Sequence, residues 1–491
     1  MRMLNPLWAF ILAIAAAIAV TLLPLTSAAG LFFLVALIIL TLIHPIVGLG
    51  AALIAGPLGA YENVVLGALP LESGQLLFFA AVIGWLARSI ARRRIILHRN
   101  PVNVPLIIFI LAASLTLLDA VSLAFGIKEL VKWLELTIAM LMVVDLSLIR
   151  TLDSGRYPSG IHFVPDKRMI RAALAILLLA GVSQASIGIW QFGIRGDGPD
   201  HFIILERFYR AFGTFMQPNP FGGFMGITAS IAIGATAGIV LNQASKWRQI
   251  KDLPLSEWLW FGFVAGSALL TSAALLMSWS RGAWLGFAAA MVVLLFFLPK
   301  RRWIGVGLLL IACIFFLLSS QLNIIPESLL SRLTSVTEDF QIGDVRGELV
   351  TIENYAVIER LAHWQSGLDM AKENLVTGVG FGNYDRAYED FALLNWPFAL
   401  GHAHNYYINL LAEVGVIGLV AYLLLWTVIF VQSIRILQRV DWPQRGIALG
   451  LLAAWTAITI HHFVDKLYVN NMFIFFGVML GLQQVLDKLD D

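Results

Sequence analysis

The chain has 491 residues, 59% of them hydrophobic and 13% charged, with a formal net charge of +2. Soluble domains carry about 25% charged residues, so the composition excludes a water-soluble enzyme and predicts an all-α polytopic membrane protein. The single cysteine, Cys313, excludes an intrachain disulfide, and nothing resembles a Cys/His zinc cluster.

A spanning helix takes roughly 20 apolar residues. Apolar runs occur at 7–23, 31–43, 46–58, 75–90, 104–124, 131–149, 171–192, 220–241, 258–279, 282–298, 303–320, 405–434, 446–464 and 471–487. Leu7 to Leu23 has the form of a signal-peptide core, but more spans follow at once, so it reads as the first retained helix. The runs around His44-Pro45 are two short helices or one broken element, giving about 12–14 transmembrane helices. Basic residues crowd five loops: Arg88 to Arg99, Arg150 to Arg171, Lys246 to Lys251, Lys300 to Arg302, and Arg435 to Arg445. All five fall on one side of this span order, which makes that side cytoplasmic and puts both termini there.

The opposite side holds one long hydrophilic segment, Gln321 to Ala403, with 12 acidic and 5 basic residues. Leu361, Trp364, Leu368, Ala371 and Leu375 recur at helical spacing, so this extracytoplasmic loop is expected to be partly helical, its helix capping the bundle or, as the alternative, lying flat on the membrane. The chain then divides into N-terminal transmembrane helices (1–200), core helices with outer-face arginines (201–320), the loop (321–403) and C-terminal helices (404–491).

Four polar clusters share the outer face. The first, Arg207 to Pro220, contains a glycine and two prolines that preclude a regular helix. Arg207 and Arg210 are spaced to share a face if its start is helical. A guanidinium fork suits a diphosphate, against lipid snorkelling as the plainer role, especially for Arg207. In the second, Ser278 to Gly286, the apolar stretch 258–298 must turn back, and Arg281 marks the turn. Gly282 and Gly286 make a small-xxx-small pair for close helix packing. In the third, Arg360 is either a further phosphate ligand or an ion-pair partner of Glu359. Gly378 to Gly382 there lacks the spacing of a nucleotide loop and reads as a flexible turn. The fourth is Gly401 to Leu419. Here His404, or the competing His402, puts a base of near-neutral pKa at a membrane boundary. Glu413 lies nine residues on, on the opposite helix face, and does not orient His404. His461 and Asp465, four apart, read as a pair within one helix.

These blocks resemble the O-antigen ligase and polymerase superfamily. The resemblance rests on His404-Asn405 with Leu410-Leu411, Glu413, Gly415 and Gly418-Leu419. It includes Arg210-Ala-Phe-Gly-Thr-Phe with Pro218-Asn219, Ser280-Arg281-Gly282-Ala283-Trp284, and Gly378 to Tyr384. It covers roughly 200–470, in the family's order. It implies a membrane glycosyltransferase of the bacterial cytoplasmic membrane, with its site facing the periplasm or cell exterior. The implied donor is a glycan on a polyprenyl diphosphate, and the acceptor is a glycan, glycolipid or protein. No nucleic acid, nucleotide sugar or catalytic metal is implied, and no cofactor. By position, His404 is the base and Arg281 and Arg210 hold the diphosphate; Arg360, Arg207, His402, Asn219 and Asn405 are the expected substrate contacts. The competing class is a lipid-linked glycan transporter or flippase, which needs charges along a path through the midplane.

Overall fold

The computed structural model describes residues 25–67, 71–93, 99–151, 162–244, 253–324, 326–328, 343–351 and 354–489. The expected first helix at 7–23, and the basic residues Arg94, Arg156, Lys246, Arg248 and Lys251, lie outside them.

Sixteen α-helices are formed among the described residues: α1 Leu25–Ile43, α2 Pro45–Ala55, α3 Leu58–Leu66, α4 Ser73–Ala91, α5 Asn103–Leu115, α6 Leu123–Ser147, α7 Lys167–Trp190, α8 Pro218–Ala244, α9 Leu255–Met277, α10 Arg281–Phe297, α11 Arg302–Gln321, α12 Tyr355–Glu373, α13 Tyr384–Phe391, α14 Tyr406–Arg439, α15 Gln444–His461 and α16 Met472–Asp487. Among the described residues, strand is confined to two short antiparallel pairs, β1 (Leu148–Thr151) with β2 (His162–Pro165), and β3 (Ile203–Ile204) with β4 (Phe208–Tyr209). The fold is an all-α polytopic membrane protein.

Among the described residues, six helices are long and apolar enough to span a bilayer, and a seventh arises if α2 and α3, bent by 60°, form one span. This is below the twelve to fourteen expected. Part of the difference lies in apolar helices shorter than a full span, such as α10 with 17 residues and α16 with 16. Another part lies in α6, whose 25 residues include Lys128, Glu129, Lys132 and Glu135. The break at His44-Pro45 is present, because α1 stops at Ile43 and Pro45 opens α2; a proline suits the first turn of a helix, where its missing N–H costs nothing. Large apolar side chains point outward from the bundle, with Phe33, Trp303, Ile311 and Phe315 all exposed. A surface of this kind is stable against lipid.

The interior forms by close helix approach. Gly234 and Gly238 of α8 face Gly446 and Gly450 of α15, so that a Cβ on Gly446 would stand 2.4 Å from Gly238 Cα. Gly282 and Gly286 of α10 meet Val464 and the Ala457 carbonyl in the same way, as the small-xxx-small spacing predicts. The main core runs from Leu49 through Phe224 and Trp455 to Leu486. Beyond one end of the bundle, α12, α13 and the adjoining loops close over two small cores of their own, one around Met370, Tyr384 and Ala403 and the other around Val357, Leu361 and Trp396. The amphipathic segment is therefore a cap packed on α14. Of the expected stripe, Leu361 and Ala371 are buried, while Leu368 and Leu375 are exposed; Val357, Ala362, His363, Ser366 and Met370 complete the buried face, which is therefore shifted from the one expected.

The basic residues mark the other end. Lys300 pairs with Asp441 at 3.1 Å, Arg171 with Glu257 at 2.8 Å, and Arg445 donates to the Phe297 carbonyl at 3.0 Å. The 34 residues of α14, at about 1.5 Å each, separate Arg439 from the cap. Placing a side chain where α8 and α15 touch should force them apart. Gly446→Leu is expected to cost about 1–3 kcal/mol or more, read as a lower thermal midpoint of the detergent-solubilised protein.

Candidate functional site

The site is assembled where helices start or stop at the capped end. Gly401 and His404 both have positive φ, +80° and +51°. For His404 this left-handed backbone costs about 1–2 kcal/mol, and such outliers cluster where a side chain must be aimed. The loop is pinned on all sides: Asn409 Oδ1 accepts the Ala403 N–H at 3.1 Å, Trp364 Nε1 donates to the His404 carbonyl at 3.3 Å, and the Tyr406 N–H donates to the His462 carbonyl at 2.8 Å. Asn405 is the N-cap of α14, its Oδ1 accepting from the Tyr407 and Ile408 N–H groups. That is its role in the fold, distinct from the substrate contact expected of it.

Asp465 is the residue whose role the sequence did not reveal. Helix α15 ends at His461, so the expected intrahelical pair with Asp465 does not form; Asp465 continues the turn only through its N–H to the His461 carbonyl. Its carboxylate turns to the loop, with Oδ1 3.5 Å from His402 Nε2 and 3.8 Å from His404 Nδ1. Burial would raise this carboxyl, but the imidazoles of His404, His402 and His461 prevail and hold it well below the usual carboxylate range. His402 Nδ1 accepts the His404 N–H at 3.0 Å. That fixes the His402 tautomer with its proton on Nε2, facing Asp465. Burial, then the neighbouring His404, pushes His402 down to about 3. Both ring nitrogens of His404 are buried without a hydrogen-bond partner among the described residues. The His404 ring packs 4.5 Å from the His402 ring and 5.5 Å from that of His363. The donor atoms of His402, His404 and Asp465 lie within 4.8 Å of one another and are the one group with metal-ligand potential among the described residues.

Under the loop, Lys466 pairs with Glu129 at 3.4 Å, and Glu129 with Lys132 at 2.7 Å. Burial disfavours the Lys466 ammonium, yet Glu129 and Glu413 outweigh it and raise its pKa. Glu413 accepts the Tyr384 N–H at 3.2 Å, a helix contact away from His404 as expected. The segment Gly378 to Gly382 is not a flexible turn. It is packed against α14, its glycines at positive φ, with a Cβ on Gly378 falling 2.4 Å from the Glu413 backbone.

The arginine blocks form a second knot. Arg210 Nε donates to the Ser278 carbonyl at 2.9 Å, and its terminal nitrogen donates to Asn219 Oδ1 at 3.2 Å. Ser280 Oγ donates to the same Asn219 oxygen at 3.0 Å. Asn219 thus ties the first block to the turn whose next residue, Arg281, opens α10, and Trp279 just before it has a positive φ of 53°. Gly282 then meets Val464 and faces His461, joining the knot to the Asp465 loop. Arg360 on α12 donates to the Ala356 carbonyl at 3.2 Å, keeps its Nε buried without a hydrogen bond, and acts electrostatically on His461. Arg207 is placed differently. Residues 208–209 are strand, so it shares no helical face with Arg210, and its guanidinium rests over the Phe208 ring on an exposed hairpin.

His363 stacks on Tyr388 at 4.8 Å and is pushed down to about 4 by burial and by His404. An ordinary histidine titrates near 6.5. Between 6.5 and 4 the unfolded chain binds a proton that the folded chain refuses, so stability falls as pH drops through that window. The thermal midpoint of the purified protein should decline from pH 6.5 to 4. His363→Gln, which cannot titrate, should flatten part of the decline; an unchanged slope removes His363 from the effect.

Residues 266–423 match the family model described as O-antigen ligase. No curated protein matches the chain. The matched stretch runs from α9 into α14 and contains Arg281, Arg360, His363, His402, His404 and Asn405. Across that stretch the chain is similar to the O-antigen ligase family, in keeping with the motif blocks and the all-α membrane fold.

Proposed function

We propose that the protein transfers a glycan from a polyprenyl diphosphate to an acceptor hydroxyl at the outer face of the bacterial cytoplasmic membrane, with inversion and without a metal. The observation that carries this reading is the His404–Asp465 contact beside the arginine-bearing turn. Asp465 favours the tautomer with the proton on His404 Nδ1, which leaves the Nε2 lone pair as the base. The acceptor oxygen attacks the anomeric carbon as its proton passes to Nε2. The anomeric C–O bond breaks, and its electron pair leaves with the diphosphate. Charge growing on that leaving group meets fixed guanidinium groups on Arg210 and Arg281, with Arg360 as a further candidate. In a poorly hydrated site, preorganised charges of this kind are often the largest catalytic contribution. The sidedness rests on the basic loops gathering at the end of the helices away from His404.

Chain growth and single transfer to a different acceptor share this chemistry, so polymerase and ligase are separated by product: a ladder of lengths or one addition. A carrier reading asks for charges along a transmembrane path. The buried Glu129 and Lys466 instead pair with each other beside the site.

His404→Ala should lower transfer by about 10²–10⁴-fold, and Arg281→Ala should abolish most of it, while both variants still insert into membranes. Full activity of either purified variant on lipid-linked glycan removes that residue from the mechanism. Asp465→Asn should lower kcat more than it raises KM, since it disturbs the base and not the binding of substrate. Transfer in detergent should survive chelation with EDTA. A strict need for an added divalent ion would instead assign the His402, His404 and Asp465 group to a metal, and absence of product with donor supplied in detergent would favour a carrier.

A further inference from the structure

Two cavities open in the cap, and they differ in chemistry. One, of about 670 Å³, is lined by Arg346, Asp369, Lys372 and Glu373. These charges serve one another, with Lys372 2.7 Å and Arg346 3.9 Å from Asp369, and no histidine lines it. The other, of about 620 Å³, is lined by Tyr355, Glu359, His363, Asn395, Trp396 and Phe398, together with Glu348 and apolar neighbours, with neither lysine nor arginine among the described lining residues. Its volume lies within the range of about 300–1,000 Å³ usual for small-molecule sites.

Its position is set by α12. Tyr355, Glu359 and His363 are spaced by four residues and form one stripe along that helix, facing the cavity. Arg360 and Trp364 belong to the adjoining stripe, which meets His461 and the His404 carbonyl. His363 is the partition: it lines the cavity on one side, and its ring stands 5.5 Å from the His404 ring on the other. The arginine knot reaches the same histidine loop through Gly282, Val464 and His461. The cavity and the guanidinium groups therefore approach His404 by different routes. A displacement with inversion requires that separation, with nucleophile and leaving group on opposite sides of the anomeric carbon.

We infer that this cavity is the subsite for the acceptor saccharide, a neutral pyranose glycan whose attacking hydroxyl is presented past His363 to His404. The inference rests on the reading of His404 as the base. Exposed aromatic side chains, Phe398 at 79% and Tyr355 at 48%, offer apolar faces to the C–H side of a sugar ring. Glu348, Glu359 and Asn395 offer acceptors for its hydroxyls, and hydrogen bonds to ionised acceptors are the stronger kind. Tyr355 and Glu359 lie one turn apart on α12 and line the cavity together. The two carboxylates, with no cation among the described lining residues, disfavour a diphosphate there, so the cavity suits the acceptor and not the donor head.

The test uses the full chain in detergent, with methyl glycosides of glucose, galactose and N-acetylglucosamine as probes in saturation-transfer NMR. At least one glycoside should receive saturation from the wild type. Phe398→Ala and Glu359→Gln should lose that signal and raise the acceptor KM at least fivefold, with binding of polyprenyl diphosphate unchanged. No transfer to any of the three, or undiminished transfer in both variants, overturns the subsite. Arg281→Ala separates the two readings. It should keep the glycoside signal and lose the lipid diphosphate; retention of the diphosphate by that variant counts against the donor assignment alone, whereas loss of the glycoside signal in it counts against a separate acceptor site.

Discussion

At Gly415 the longest helix of the protein gives up its own ladder. The residue takes φ +62° and ψ −167° inside α14, which frees the carbonyls of Ala412 and Glu413. The segment after α12 takes them: the Val379 and Gly380 N–H groups donate there at 2.9 and 3.0 Å, and the Val416 N–H returns to the Leu375 carbonyl at 2.9 Å. In a low-dielectric setting a broken helix is tolerated only where other protein groups satisfy the exposed backbone. A side chain at 415 would collide with the Val376 carbonyl, 2.2 Å from an ideal Cβ. The cap is thereby bonded into the bundle by main chain, and α12 is held over the histidine loop.

Around that anchor the charges are settled in layers. Asp465 faces imidazoles, while Lys466, one residue on, reaches down to Glu129 of α6. Two adjacent residues of opposite sign thus serve two different neighbours, and each is costly to bury alone. A carboxylate held ionised between two imidazoles is suited to orient one of them. The arginine turn is organised by different means, through the single side-chain oxygen of Asn219 and the Ser278 carbonyl. Both bonds hold the Arg210 guanidinium in place beside the turn that opens α10.

The division of labour between cap and bundle follows from solvent. The bundle is stabilised by close contact between glycine-bearing helices and presents apolar side chains outward. The cap, rich in acidic residues, builds two small cores and two cavities where water is at hand. Polar recognition is cheaper to assemble there than among lipid-facing helices.

Composition, run length and residue spacing by themselves determined the membrane class, the hairpin at Ser278 to Gly282 and the capping helix, because each depends on local chemistry repeated at fixed spacing, whereas the family blocks rested on a resemblance. Arg281 and His404 were legible for the same reason: a charge or imidazole at the end of an apolar run stands out. The sequence overcounted full spans, since an apolar run shows neither where α10 or α16 stops nor how α2 and α3 bend. It misread Gly378 to Gly382 as loose, because the partner that fixes those glycines is a helix break more than thirty residues away. Tertiary structure alone decided that Asp465 faces His402 and His404, that Asn405 caps α14, that Arg207 leaves the arginine cluster, and that His363 stands between a cavity and His404. Each of these depends on which turn of which helix ends beside another, and that contact is set by packing at distances that no periodicity along the chain encodes.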